Sequence, residues 1–128
     1  MKILLRSISL VSFLLSSIVM AAVPPLSQEM RESMADLIVT GLVKNIVEYS
    51  STKQNGDVDH IYEVSLDIGA DSNISFQYWK AEKRAQGYCG RNGQYGDMVV
   101  GQKVKVYMYS DDNNKLNLLD PNGFDVTD

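Results

Sequence analysis

This chain of 128 residues contains a single cysteine and a single histidine. One cysteine cannot form a disulfide within the chain, so Cys89 is a buried apolar residue, a free thiol or half of an intermolecular bond. No CxxC motif is present, and a metal site or a Cys–His pair would need His60, which lies far from Cys89 along the chain. The sequence therefore predicts no metal site. It also offers no set of nucleophile, base and orienting residue, so we expect the protein not to be an enzyme.

Long apolar runs are scarce, and the one at the N-terminus is too short to span a membrane. A positively charged start precedes an apolar stretch at residues 8–19, and Val19-Met20-Ala21 fits a signal-peptidase site. A spanning helix needs about 20 apolar residues, and this run ends before Pro24. We therefore expect residues 1–21 to be a signal peptide, and the mature chain to be periplasmic or secreted without a stable membrane anchor.

Basic residues are outnumbered by acidic ones. The whole chain has 12 basic and 16 acidic residues, and removal of Lys2 and Arg6 with the signal peptide leaves 10 against 16, a net charge of −6. Phosphate backbones repel such a protein, so duplex nucleic acid is not an expected partner. The remaining length suits one small domain, which we expect to be a monomer.

Apolar residues spaced four apart predict a short helix within residues 26–36. Ser27 is a suitable N-cap, and the apolar stripe that includes Met30 and Met34 is expected to fill gaps in the core. The predicted organisation is a signal peptide at 1–21, an N-terminal segment with this helix at 22–36, and a β-rich domain at 37–128.

From residue 37 the apolar period changes to two, which is typical of half-buried strands. Five strands are predicted, at 37–49, 58–68, 74–82, 101–110 and 115–120. Gly41 interrupts the first strand and indicates a bulge or a sharp bend. Short strands without crossover helices favour an all-β fold, a five-stranded antiparallel Greek-key barrel of the OB type.

The alternation also predicts which side chains face the core. The inward set is Leu37, Val39, Val43 and Val47, then Val58, His60, Tyr62, Val64, Leu66 and Ile68, then Ile74, Phe76 and Tyr78, then Val104, Val106 and Met108. Asp59, Glu63 and Asp67 fall on the outer face, where they are interpreted as ordinary solubility charges. Tyr107 and Tyr109 form an outer tyrosine face on the fourth strand. His60 is interpreted as a partly buried sheet residue.

Two stretches resemble known secreted proteins. "ADLIVTGLVKNIV" followed by "YEVSLDI" is similar to the opening of OB-like domains in the netrin-module and metalloproteinase-inhibitor group. "VVGQKVKVYMY...LNLLDPNGFDV" resembles the close of small exported bacterial proteins with the same barrel. The resemblance spans about residues 35–127 and implies the same fold. Those inhibitors act through an N-terminal cysteine held by disulfides, which this chain lacks, so the inhibitory mechanism does not carry over.

The stretch "GYCGRNGQYG" at residues 87–96 places a glycine at every third position. A phosphate-binding loop needs GK[ST] leading into a helix, and a dinucleotide fingerprint also needs a following helix, whereas a strand is expected here. No cofactor is therefore predicted. The glycines are interpreted as turns between the third and fourth strands, since glycine tolerates tight reversals.

The surroundings of this stretch suggest a binding site. Between residues 79 and 95 the sequence has four basic residues and one acidic residue, which gives a local charge of +3 in an acidic protein. Aromatic rings interleave with these cations, as in sites that stack on sugars or bases. The candidate ligand-binding residues are Trp79, Lys80, Arg84, Tyr88, Arg91 and Tyr95.

These features together predict an exported, non-enzymatic binding or adaptor module. Its ligand is expected to be an anionic saccharide, a peptide or a protein surface. Two alternatives stay open. One is a structural partner in an envelope complex, using a sheet edge or the tyrosine face of the fourth strand. The other is an enzyme with an unrecognised site.

Overall fold

A computed structural model describes residues 23–84 and 91–127. These residues form one helix and six strands. Their bounds are α1 Gln28–Met34, β1 Leu37–Thr52, β2 Val58–Gly69, β3 Ser72–Lys83, β4 Lys103–Ser110, β5 Leu116–Leu118 and β6 Phe124–Val126. The predicted helix and the five predicted strands are confirmed, and residues 124–126 add a sixth strand.

Five of the strands close into a ring in the order β1, β2, β3, β5, β4, and β4 pairs again with β1. Neighbouring strands are antiparallel except β3 and β5, which pair in parallel through Gln77 and Asn117. The prediction of a wholly antiparallel sheet is therefore wrong at this contact. A closed ring with an odd number of strands cannot alternate direction throughout, so one pair must be parallel.

The first strand closes the ring by changing partners. Its residues 37–42 pair with β4, and residues 42–52 pair with β2. The strand passes so close to β2 that a Cβ atom on Gly41 would lie 2.5 Å from the carbonyl oxygen of Asp67. The register with β2 then shifts between Val43 and Asn45, which marks a bulge. The predicted break in β1 is confirmed, with the close approach at Gly41 and the bulge just beyond it.

The core fills the inside of the ring. Its buried side chains on the strands of the ring are Val43, Val64, Leu66, Phe76, Tyr78, Val104, Val106, Met108 and Leu118. Burying one large apolar side chain contributes about 1.5–3 kcal/mol relative to leaving it exposed. The inward alternation predicted for the middle of β2, β3 and β4 is confirmed.

The predicted apolar face of the helix is wrong. Ser27 caps the helix as expected, but Met30 and Met34 are 47% and 49% exposed. The buried helix residue is Arg31, whose guanidinium carbon lies 4.4 Å above the ring of Tyr107 and whose Nη1 donates to Asp125 Oδ1 at 2.9 Å. The helix therefore packs on the outside of β4 through a cation–π contact and hydrogen bonds, and it buries Tyr107, which was expected on an open tyrosine face.

Alternation also fails at some positions outside the centre of the ring. Leu37, Val47 and Ile68 were predicted to face the core but are exposed. Leu37 and Ile68 lie near strand ends, whereas Val47 follows the bulge between Val43 and Asn45, which shifts the alternation by one residue so that Ile46 packs against the core instead. Asp59 was interpreted as a solubility charge, yet it is buried. Its carboxylate is held by Arg84, whose Nη2 lies 2.6 Å from Asp59 Oδ1, so an ion pair replaces water around it.

Candidate functional site

Residues 91–94 lie alongside β3 as a short antiparallel segment. The amide of Ala81 donates to the carbonyl of Asn92 at 2.9 Å, and the amide of Gln94 donates to the carbonyl of Trp79 at 2.8 Å. Gly93 sits between these bonds with φ +79°, and a Cβ atom there would overlap the carbonyl oxygen of Trp79. Glycine is therefore required at this point for the backbone to reach β3.

Three cations of this region are each bound to a carboxylate. Lys80 Nζ lies 3.0 Å from Asp97 Oδ2, Arg91 pairs with Asp120, and Arg84 pairs with Asp59. The hydrogen bond that Arg91 donates to Asp120 is the main cause that raises the pKa of Arg91 above its ordinary value. The local positive charge counted along the sequence is thus offset in space by acidic residues from other segments.

The structure divides the predicted site residues into separate places. Arg84 lies 5.4 Å above the ring of Trp79, at the end of β3. Arg91 and Tyr95 line a different hollow of about 480 Å³ beside Pro121. Tyr88 lies outside the described residues, as does Cys89. The structure brings the candidates Trp79 and Arg84 together.

A groove on the outer face of β1, β2 and β3 is a second candidate site. It has a volume of about 370 Å³ and is bordered by the turn between β4 and β5. Its polar lining is Asn45, Glu63, Ser65, Ser75, Gln77, Asn114 and Lys115. In register, Asn45, Ser65 and Ser75 form one row across the strands.

The groove continues toward Trp79. A smaller hollow of about 150 Å³ shares Gln77 with it and is lined further by Asp59, Ile61, Trp79 and Asn117. Ile61 lies opposite Trp79 in the register of β2 and β3, just as Glu63 lies opposite Gln77. One outer face therefore carries a row of hydrogen-bonding side chains that ends at an indole ring.

The wall of the groove is held in place by hydrogen bonds. Gln77 Nε2 donates to Asn117 Oδ1 at 2.8 Å, and Asn117 Nδ2 donates to Asp111 Oδ2 at 3.0 Å. The amides of Asn113 and Lys115 donate to Asp111 Oδ1, both at 2.9 Å. The bond from the Lys115 amide, then that from Asn117, lowers the pKa of Asp111 below its ordinary value. The β4–β5 turn is therefore preorganised beside the groove.

Sequence reasoning missed this groove because outward polar residues of a strand usually face water. A signal was present in the residue types. Ser75 and Gln77 are uncharged hydrogen-bonding residues at successive outward positions of one strand, and Ser65 is an uncharged outward residue of the other, where strands selected only for solubility would carry charges. The register that places them side by side could not be read from the sequence.

No group of three or more metal-ligating side chains could hold a metal within residues 23–84 and 91–127. Both ring nitrogens of His60 lie 3.0 Å from carboxylate oxygens, of Glu48 and Glu82, so neither is open to a substrate in this arrangement. No helix in the described part of the chain is long and apolar enough to cross a membrane.

Comparison with known proteins does not place the chain in a family. No family model matches the chain, and no curated protein or solved structure matches it significantly. The resemblance to secreted OB-like domains therefore stays a prediction.

Proposed function

We propose that this protein is an exported, non-enzymatic binding module built on an OB-like Greek-key barrel, and that it binds a saccharide on the outer face of β2 and β3. One observation carries the proposal: the groove lies on that face and is bordered by the β4–β5 turn. OB barrels bind oligosaccharides and oligonucleotides across their second and third strands and the loop between the fourth and fifth.

The strand order supports the OB-like part of the proposal. A ring of five strands in the order β1, β2, β3, β5, β4, closed by β1 and β4, matches a five-stranded Greek-key barrel in which the first strand serves both halves. The partner change in β1 at residue 42 gives the strand that double role.

The lining favours a polyhydroxyl ligand. Serine hydroxyls and the amides of Asn45 and Gln77 can each donate and accept hydrogen bonds, as sugar hydroxyls require. Trp79 supplies a flat apolar ring at one end, on which a sugar ring can stack. The acidic chain and the carboxylate partners of Lys80, Arg84 and Arg91 do not favour nucleic acid or a strongly anionic ligand.

A glycan array followed by calorimetry with the mature chain tests the proposal. We expect Gln77→Ala and Trp79→Ala each to weaken the best glycan by about 1–3 kcal/mol. Asn73→Ala, an exposed change at the β2–β3 hairpin, is the matched control and should bind like the wild type. Glycan binding that survives both groove variants, or no binding to any glycan, would contradict the proposed site.

The export step has its own test. Secreted material should have the mass of a chain that starts at or next to Ala22. Recovery of the full-length chain from an integral-membrane fraction would contradict export.

The proposal also states that the mature protein is a monomer and that it binds no cofactor.

One observation favours the alternative of a structural partner in an envelope complex. Within the described residues, positions 44–52 of β1 pair only with β2, so their other edge is open, and Val47 and Tyr49 are exposed there. An open edge can accept a strand from another protein. A stable complex co-purified with the chain from the native envelope, and lost on Val47→Lys, would favour this alternative.

A further inference from the structure

Three strand ends meet at one histidine. His60 of β2 places Nδ1 3.0 Å from Glu48 Oε1 on β1 and Nε2 3.0 Å from Glu82 Oε1 on β3. Glu48, His60 and Glu82 are called the His60 clasp below. A single charged group thus joins the three strand ends, so the state of this ring affects all three.

The two contacts require the charged imidazole. Neutral histidine has one N–H donor, whereas the imidazolium has two, and both carboxylates can only accept. The pKa of His60 is raised above its ordinary value, first by the hydrogen bond to Glu82 and further by attraction to both carboxylates, while desolvation opposes the shift.

The other titratable groups nearby do not compete with His60 for its charge. Tyr62 stacks on Tyr78, and burial raises the pKa of Tyr78 to about 12 and that of Tyr62 above its ordinary value, so both stay neutral. Lys80, opposite His60 in the register, is bound to Asp97. His60 is therefore the group in this cluster that changes charge near neutral pH.

The clasp is connected to the Trp79 end of the groove. Glu82 follows Ala81, whose amide ties β3 to Asn92, and the next tie joins Trp79 to Gln94. Ile61, next to His60 on β2, lines the hollow beside Trp79. Release of Glu82 would remove one side-chain contact from the strand end that holds both backbone ties, which is otherwise held by its pairing with β2 and by the Arg84–Asp59 pair.

We propose that protonation of His60 fixes the Trp79 end of the groove, so that this end loosens and ligand affinity falls as the pH rises. The affinity part rests on the proposed binding function. A folded-state pKa above the unfolded value of about 6.5 gives a stabilisation that is complete below that value. It is lost as the pH rises through the folded-state pKa.

Hydrogen exchange of the free, full mature chain tests the clasp without any ligand. The reporters are the amides of Ala81 and Gln94, followed from about pH 6 to about pH 9 and corrected for intrinsic exchange. Their protection should fall with rising pH, by about tenfold for each unit by which folding raises the pKa of His60. The amides of Tyr107 and Leu119, bonded elsewhere in the ring, are the internal control and should not change.

Variants separate charge from shape. His60→Arg keeps a cation at every pH and should keep protection high and flat, whereas His60→Gln should give low and flat protection. Should either variant fail to fold, Glu82→Gln removes one arm of the clasp and should reduce the pH dependence. Protection in the wild type that does not change with pH, or the same change in His60→Gln, would overturn the proposal.

Glycan affinity separates this inference from the proposed function. An affinity that falls with pH in the wild type and stays flat in His60→Arg supports the regulation. A glycan bound equally well across the range contradicts the regulation and leaves the binding function intact. Absence of any glycan binding contradicts the proposed function, while the exchange measurement still decides whether the clasp operates.

Discussion

Two neighbouring surfaces of the molecule meet at Trp79 and use their polar groups differently. In the segment from Trp79 to Asp97, the cations Lys80, Arg84 and Arg91 are each bound to a carboxylate. On the outer face of β1, β2 and β3, the serines, amides, Glu63 and Lys115 line an open groove. On the first surface these cations are paired with carboxylates of the protein itself, whereas the second presents hydrogen-bonding groups to an open groove.

The difference shows why a charge counted along a sequence is a poor guide to charge in space. The four carboxylates that face the cations are Asp57, Asp59, Asp97 and Asp120. Two of them come from the β1–β2 region and one follows β5, far from the basic residues along the chain. Strand pairing brings these carboxylates next to the cations. The positive charge of the segment that begins at Trp79 is therefore explained by ion pairs within the protein.

The largest expected effect is that of Gly93→Ala. The residue has φ +79° and no room for a Cβ atom beside the carbonyl of Trp79, so alanine should destabilise the protein by at least about 3 kcal/mol. Gly56→Ala is the control, because its φ is +88° with open space around it, and it should cost about 1–2 kcal/mol. Urea unfolding measures both. Equal losses would show that residues 91–94 do not hold to β3 as described.

The second largest effect is expected from removal of the Arg84 guanidinium. Arg84→Met removes the nearer cation of Asp59 in a place where both side chains are 12% exposed, and we expect a loss of about 2–3 kcal/mol. Lys53→Met removes an exposed cation that lies 3.6 Å from the same carboxylate and should cost less than about 1 kcal/mol. If thermal unfolding gave similar losses for both, the charged segment would not be stabilised by its buried pair.

Gly41→Val tests how closely β1 packs against β2, at a position outside both the charged segment and the groove. A valine Cβ there would lie 2.5 Å from the Asp67 carbonyl and 2.8 Å from Leu66 Cγ, so β1 would have to move away from β2. We expect a loss of about 1–3 kcal/mol in the free energy of unfolding. Gly96→Ala, where the new atom would sit 3.7 Å from Phe124, should stay within about 0.5 kcal/mol. A silent Gly41→Val would mean that the two strands are not packed closely there.

Sequence patterns anticipated the parts of the fold that depend on local periodicity. Alternation identified Val64, Phe76 and Val106 as core residues, and the interruption at Gly41 indicated the break in β1. Both signals are short-range, because a strand presents alternate residues to one side and a glycine disturbs that pattern where it stands.

Features that depend on distant segments were not predictable in the same way. Arg31 is buried because Tyr107 and Asp125, more than 70 residues later, form its surroundings. The spacing of apolar residues by four, which predicted the helix, led to the wrong assignment of Met30 and Met34 to the core. The groove likewise depends on the register of three strands, which no single stretch of sequence specifies. Composition alone identified the candidate residues near Trp79. Their carboxylate partners could be identified only once the fold was known.

The smallest expected effects decide between the two surfaces as binding sites. Tyr95 is 53% exposed, so Tyr95→Ala should change stability by no more than about 0.5 kcal/mol. Arg91→Ala should cost about 0–1 kcal/mol, because its pair with Asp120 is largely solvated on the arginine side. Neither residue lines the groove, so glycan affinity should not change in either variant. Because the nearby cations already have carboxylate partners, raising the salt from about 50 mM to about 500 mM should also leave the affinity nearly unchanged. A tenfold loss of affinity in Arg91→Ala, or a steep salt dependence, would return the binding site to the charged segment.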